Sequence, residues 1–336
     1  MKIRHLGFLL FILVISGVFV LSCSKRIVKP DVNIISAQFL TFQYGRSGEM
    51  FFVNDLVGMM FTNTSVLKSV DGGISWSIIF DTSTLGYARN LDYINPDTAI
   101  VNIQQFSSPY NQILYRTCNG GVSWTLQSSC GTPFITSFYD GIHGFAYGKN
   151  LPSSLLNFYK TYNGGATWSI SPSLPQYPPV YLKFINANTG FSHDNGLLWN
   201  TLDGGATWNN CGSVNHNDYT RIYPDGLAFK IDNNYKIYKS NDFGTNWKMV
   251  FENPGHIPVN HIEISDFGLY CAIGSGGLMF SKDEGETWNG TMENYETSIL
   301  KRTSLFSLHI LDSETVIAAG VGSSNDDYVM VKITLK

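Results

Sequence analysis

TYNGGATW, Thr161 to Trp168, is one of six copies of the same eight-residue pattern. The others are SVDGGISW (Ser69 to Trp76), TCNGGVSW (Thr117 to Trp124), TLDGGATW (Thr201 to Trp208), SNDFGTNW (Ser240 to Trp247) and SKDEGETW (Ser281 to Trp288). Each reads Ser or Thr, any residue, Asp or Asn, any residue, Gly, any residue, a usually hydroxylated residue, then Trp. Successive Trp residues of the pattern are 48, 44, 40, 39 and 41 positions apart. That is the period of a four-stranded propeller blade.

A short apolar strand precedes each copy (Ser65 to Lys68, Ile113 to Arg116, Lys236 to Lys239) and another follows it, as from Trp76 to Phe80. The pattern is therefore the turn of a hairpin. The residue types fit that role: Asp71, Asn119, Asn163, Asp203, Asp242 and Asp283 can accept hydrogen bonds from turn N–H groups. Gly73, Gly121, Gly165, Gly205, Gly244 and Gly285 can take a positive φ. Trp76, Trp124, Trp168, Trp208, Trp247 and Trp288 can cover the turn at the blade edge.

These turns resemble the Asp-box, the bacterial neuraminidase repeat, and the resemblance covers nearly all of residues 50–336. The fuller unit, clearest in PVYLKFINANTGFSHDNGLLWNTLDGGATW (Pro179 to Trp208), is most similar to the photosystem II stability and assembly factor family of seven-bladed propellers. The strands supply a blade count of their own. Six turns give six blades, and Leu305 to Ile310, Thr315 to Ala319 and Tyr328 to Ile333 add three strands with no turn of this kind. The stretch Asn33 to Gln43 would supply the fourth strand and close the ring, removing the edges an open array exposes. The expectation is an all-β, seven-bladed propeller over residues 34–336, with six blades as the alternative if a terminal group of strands packs outside.

Residues 1–22 are expected to be a signal peptide. Lys2 and Arg4 precede an apolar run from Leu6 to Leu21, which is short for a membrane span. The run ends in Val20-Leu21-Ser22-Cys23, which resembles a bacterial lipobox; the resemblance implies cleavage before Cys23, acylation of its thiol, and residues 23–33 as a polar tether. The alternative is ordinary cleavage with Cys23 incidental. The expected location is the cell envelope, lipid-anchored at the outer membrane or periplasmic face.

Of 336 residues, 43% are hydrophobic and 14% charged, with 22 Lys and Arg against 26 Asp and Glu. A large core can form, and nucleic acid is excluded as a partner because the positive surplus that neutralises phosphates is missing. Cys118, Cys130, Cys211 and Cys271 show no CxxC pair and read as buried thiols or one bridge. The acidic pair Asp326-Asp327 reads as a solvated turn, and no metal or cofactor is expected.

In such a blade all six turns share one face, and the second-to-third and inter-blade connections share the other. On that other rim the connections Gln104 to Gln112, Lys149 to Leu156, Ser171 to Pro179 and Cys211 to Tyr219 are long. They carry Phe106, Tyr110, Tyr177, His216 and Tyr219, taken here as the candidate ligand face, the alternative being variable loops with no ligand. Sialidase chemistry, which the box resemblance raises, calls for three converging Arg and a Phe/Tyr-Arg-Ile-Pro segment before the first box. Beyond the tether stand only Arg46, Arg89, Arg116, Arg221 and Arg302, and Arg221-Ile222-Tyr223-Pro224 has an inserted residue and lies late in the chain. The expectation is a non-enzymatic scaffold binding a protein or glycan, with a secreted glycan-active hydrolase of sialidase-like fold as the alternative.

Overall fold

The computed structural model describes residues 34–335 apart from 41, 43, 45–46, 108–110, 128–131, 151–154, 172–178, 180, 195, 214–219, 233, 253–258, 266–269, 275–276, 291–302 and 323–327. Among the described residues every element is a strand, and these strands form seven four-stranded antiparallel sheets. Blades 1 to 6 are continuous in sequence, over 47–81, 86–127, 132–171, 181–213, 220–251 and 259–290. Each carries the repeated turn between its third and fourth strands. Blade 7 is a composite: Ser304–Asp312, Thr315–Val321 and Tyr328–Leu335 form three strands, and Ile34–Leu40 pairs antiparallel with Tyr328–Leu335 as the fourth. The repeat builds six blades, and the two ends of the chain build the seventh.

Middle strands are buried on both faces because each blade is sandwiched between two others, whereas the inner strands alternate, as in Gly86–Asn95. Thr98–Gln105 and Thr315–Val321 are buried along most of their length, and Thr315–Val321 reads as an apolar run after its first residue. The outer strands Ser77–Asp81 and Lys248–Phe251 are largely exposed. Cores therefore lie between blades. Phe145 of blade 3 stacks on Phe184 of blade 4 with ring centroids 3.5 Å apart, and Phe158 and Leu182 join them. First strands are also tied across blades by hydroxyls: the Met50 N–H donates to Ser307 Oγ (2.9 Å) and the Phe184 N–H to Ser137 Oγ (2.7 Å).

The repeated turn is a closed hydrogen-bond unit. In blade 1 the Ser69 hydroxyl accepts from the Gly73 N–H (2.8 Å) and donates to Asp71 Oδ1 (2.8 Å), which also accepts from the Ser75 N–H (2.9 Å). Where Asn replaces Asp the same frame holds, with Asn163 Oδ1 accepting from Thr167 N–H (2.9 Å) and Asn163 Nδ2 donating to Thr167 Oγ1 (2.8 Å). The Trp rings reach beyond the turn edge that the sequence pattern predicts for them. Trp208 of blade 4 meets Phe158 of blade 3 edge-on at 6.0 Å, Trp124 of blade 2 stacks on Phe80 of blade 1 at 5.0 Å, and Trp288 of blade 6 meets Phe229 of blade 5 at 6.3 Å. They are inter-blade core as well as turn covers. Cys118 is an exposed thiol and Cys211 a buried one; Cys130 lies outside the described residues.

Candidate binding site in the central channel

The first strand of each blade runs toward a hairpin that shares a face with the repeated turn. An Asn or Asp closes most of these hairpins: Asn95 Oδ1 accepts from the Asp97 and Thr98 N–H groups (3.0 and 2.9 Å), and Asn186 Oδ1 from Asn188 and Thr189 (2.9 and 2.8 Å). The repeated turn docks on this hairpin, as where the Gly120 N–H donates to the Asp97 carbonyl and that of Gly204 to Asn188. Four or five positions upstream of the capping residue, the first strands of blades 1 to 5 each turn a side chain toward the channel. In blades 1 to 5 these are Glu49, Asn90, Thr136, Tyr181 and Arg221, and they wall a cavity of about 540 Å³.

Arg221 is the centre of its charge pattern. Nη1 lies 3.1 Å from Glu49 Oε1 of blade 1 and Nη2 lies 3.0 Å from Glu263 Oε2 of blade 6. Blades 1 and 5 are not neighbours, so this one side chain ties the ring across its channel. His261, fully buried, places Nε2 3.3 Å from the same Glu263 oxygen. Burial works to raise the Glu263 carboxyl, and Arg221 with His261 outweighs it, holding the group below the usual carboxylate range. His309 of blade 7 stacks on Phe52 at 3.5 Å and donates from Nε2 to the Asp55 carbonyl (2.9 Å), and desolvation keeps it below the ordinary imidazole value.

A second charged group lies on the opposite wall. Asp92 is 4% exposed and is approached by Lys183 Nζ at 3.6 Å. Its Oδ2 accepts from Asn90 Nδ2 and Thr136 Oγ1, both at 3.3 Å. Burial dominates these partners and pushes the carboxyl up to about 6. Above it, on the rim opposite the repeated turns, Phe106 meets Tyr87 edge-on at 4.7 Å, and both rings are exposed. The Arg89 guanidinium lies 5.3 Å from the Tyr87 ring, and its Nε donates to Gln104 Oε1 (2.8 Å). Arg89 also lines the cavity, so this aromatic and cationic cluster is continuous with the channel mouth.

Of the five residues read from sequence as a ligand face, Phe106 stands on that rim; Tyr110, Tyr177, His216 and Tyr219 lie outside the described residues, as do Cys23, Arg46 and Arg302. The channel residues Glu49, Asp92, Lys183 and Glu263 were missed, and Arg221 was weighed only as part of a sialidase segment. Their signal was available: polar or charged side chains recur a few positions before the Asn or Asp of the first hairpin in several units, among apolar neighbours.

The fold is similar to that of YCF48 bound to a D1 peptide, with a TM-score of 0.62 at 15% identity over 89% of this chain and 96% of that one. YCF48 from Cyanidioschyzon merolae gives 0.62 at 14% identity, over 89% and 98%. A streptogramin B lyase gives 0.61 at 8% identity, over 90% and 98%. No family model matches the chain, and no curated protein is similar to it in sequence.

Proposed function

We propose that this chain is a scaffold that holds a protein partner at the channel mouth, on the face opposite the repeated turns, and that an acylated Cys23 tethers it to a bacterial envelope membrane. The rim cluster of Tyr87, Arg89 and Phe106 carries the reading. Two exposed rings and a guanidinium give a large, stiff contact area with one directed charge, the composition that dominates protein recognition. The likeness to a propeller seen with a bound peptide favours protein over glycan as the partner class. The Asp-box reading of the turns fits the same account, since their polar groups are consumed within the turn and leave recognition to the other face.

The test compares wild type with Tyr87→Ala/Arg89→Ala in pull-downs from detergent-solubilised membranes of the producing cell. A protein captured by wild type and lost from the double variant, at an unchanged unfolding midpoint, supports the reading. Equal capture by both refutes the rim. Tethering is tested separately: Cys23→Ala should leave the membrane fraction and incorporate no labelled fatty acid.

A second reading rests on one observation. Asp92 and Glu49 line one cavity, and burial pushes the Asp92 carboxyl up to about 6; glycan hydrolysis uses two carboxyl groups, one of which serves as the acid. Turnover of aryl glycosides that disappears in Asp92→Asn would establish it.

A further inference from the structure

The six turn regions share one architecture but differ in what they show to solvent. In blades 1 to 4, Leu56, Val70, Val122, Ile142, Tyr162 and Leu202 are all exposed, Val122 to 86% and Val70 to 66%. Val70, Tyr162 and Leu202 occupy the same position of the turn, between the hydroxyl residue and the Asp or Asn. At that position blades 5 and 6 have Asn241 and Lys282, and where blades 1 and 2 have Ile74 and Val122, blades 5 and 6 have Thr245 and Glu286. One arc of this face is apolar and the other polar. Leu56 and Ile142 sit beside the first set, since their carbonyls accept the Gly72 and Gly164 N–H groups (2.9 and 2.7 Å). An exposed apolar arc of this extent marks a contact surface.

The chain itself indicates what meets it. Ile34 pairs with Leu335, and the Leu335 N–H donates to the Glu314 carbonyl in the first hairpin of blade 7. The strand Ile34–Leu40 therefore begins on the face of the repeated turns. Ten residues, 24–33, separate Cys23 from Ile34, at most about 40 Å of extended chain. Lys25, Arg26 and Lys29 stand among them, and cations so close to an anchor are drawn to anionic lipid headgroups.

We infer that the turn face of blades 1 to 4 lies against the lipid bilayer, with its apolar side chains in the headgroup region, so that the channel mouth points away from the membrane. The inference rests on acylation at Cys23. It also accounts for the division of the molecule, because the rim of Tyr87 and Phe106 is then the side left open to a partner. Single apolar side chains at an interface bind weakly, and an acyl chain beside them supplies the second signal that stable anchoring requires.

The exposed thiol of Cys118 lies on the apolar arc and serves as the probe. The acylated full-length chain, labelled there with an environment-sensitive fluorophore, is reconstituted into phosphatidylethanolamine–phosphatidylglycerol vesicles, with Cys118→Ser as the blank and Phe106→Cys in that background as the far-face control. The expected result is a blue shift and quenching by doxyl-labelled lipid at position 118, with neither at 106. Equal exposure of the two positions to aqueous quencher, on protein shown to carry the acyl chain, overturns the orientation while leaving the anchor in place. A label at 118 that is shielded in native membranes yet insensitive to doxyl lipid shows that a protein covers the arc, which overturns the bilayer assignment. Absence of acyl chain from Cys23, with no vesicle binding, removes the anchor on which both readings stand.

Discussion

Lys68 Nζ lies 2.9 Å from the Gly120 carbonyl oxygen, so the third strand of blade 1 holds the turn of blade 2. The relationship recurs at the residue just before the hydroxyl of each turn. Arg116 places its guanidinium against Gly164 and Lys160 its ammonium beside Gly204. Asn200 Nδ2 donates to the Phe243 carbonyl (2.9 Å), and Lys239 Nζ meets Glu286 Oε1 at 3.2 Å. In blade 6 the position is Phe280, packed with Leu305, Leu308 and Ile310 of blade 7, which has no such turn to hold. Lys68, Asn200 and Lys239 thereby satisfy carbonyl or carboxylate groups of the next blade, and Arg116 and Lys160 lay their charges against the next turn. The ring is thus stitched along its turn face in one direction, and the stitch changes chemistry where the repeat ends.

Replacing Lys68 by Met keeps the stem and removes the donor. The Gly120 carbonyl then loses a charge-assisted bond in a half-buried setting, at a cost of about 1–2 kcal/mol. Chemical denaturation should show the midpoint falling with an unchanged slope. A midpoint equal to wild type would make the contact incidental.

The fourth residue of the turn carries a second consequence. Gly72, Gly120, Gly164 and Gly204 adopt φ near +70°, and at the same position Phe243 and Glu284 are held at +55° and +58°. A side chain in that region costs about 1–2 kcal/mol. Glu284→Gly should stabilise the protein by roughly 1 kcal/mol, the strain relieved exceeding the extra freedom of an unfolded glycine. A lower melting temperature in this variant would contradict the account.

In the same turn Trp288 is 7% exposed and donates from Nε1 to the Gly285 carbonyl (3.0 Å) while packing on Phe229 of blade 5. Trp288→Ala should cost about 3–5 kcal/mol. Gly285→Ala should also destabilise, because φ there is +78° and a Cβ would come within 2.7 Å of the Phe229 ring. Thermal unfolding of the two variants decides whether the turn is a fold element.

The repeat was legible because its spacing and its Asp, Gly and Trp residues are local: they close one hairpin. What joins hairpins was not. Glu49 and Arg221 are 172 positions apart and meet only after the ring closes. Lys68 reads in sequence as a solvated strand residue, since nothing local says that the next blade's carbonyl lies within its reach. The apolar arc was hidden for a related reason: Val70, Tyr162 and Leu202 stand at a position the turn leaves unconstrained, and only their common face gives them meaning. The aromatic rim was legible in outline through the long Gln104 to Gln112 connection, but Tyr87 and Arg89, on the inner strand beside it, were not singled out.

Asp92 gives the protein a pH dependence of defined sign. Burial pushes its carboxyl up to about 6 in the folded chain, above the ordinary aspartate value of about 3.9. Between those values the folded state holds a proton that the unfolded state has released, so stability is greatest below pH 4 for this group and declines as pH rises through 6. At about 1.4 kcal/mol per unit, the decline approaches about 3 kcal/mol. Glu263, held below its usual range, works in the opposite direction and loses stabilisation in acid, so the Asp92 contribution is read as the difference between variant and wild type. Asp92→Asn retains an acceptor for Asn90 and Thr136 and cannot ionise, and Lys183, with 39% of its side chain exposed, can turn to water. The variant should match wild type at pH 4 and exceed it at pH 7.5. A difference in stability that is constant across that range would show that Asp92 is ionised throughout and that Lys183 outweighs the burial.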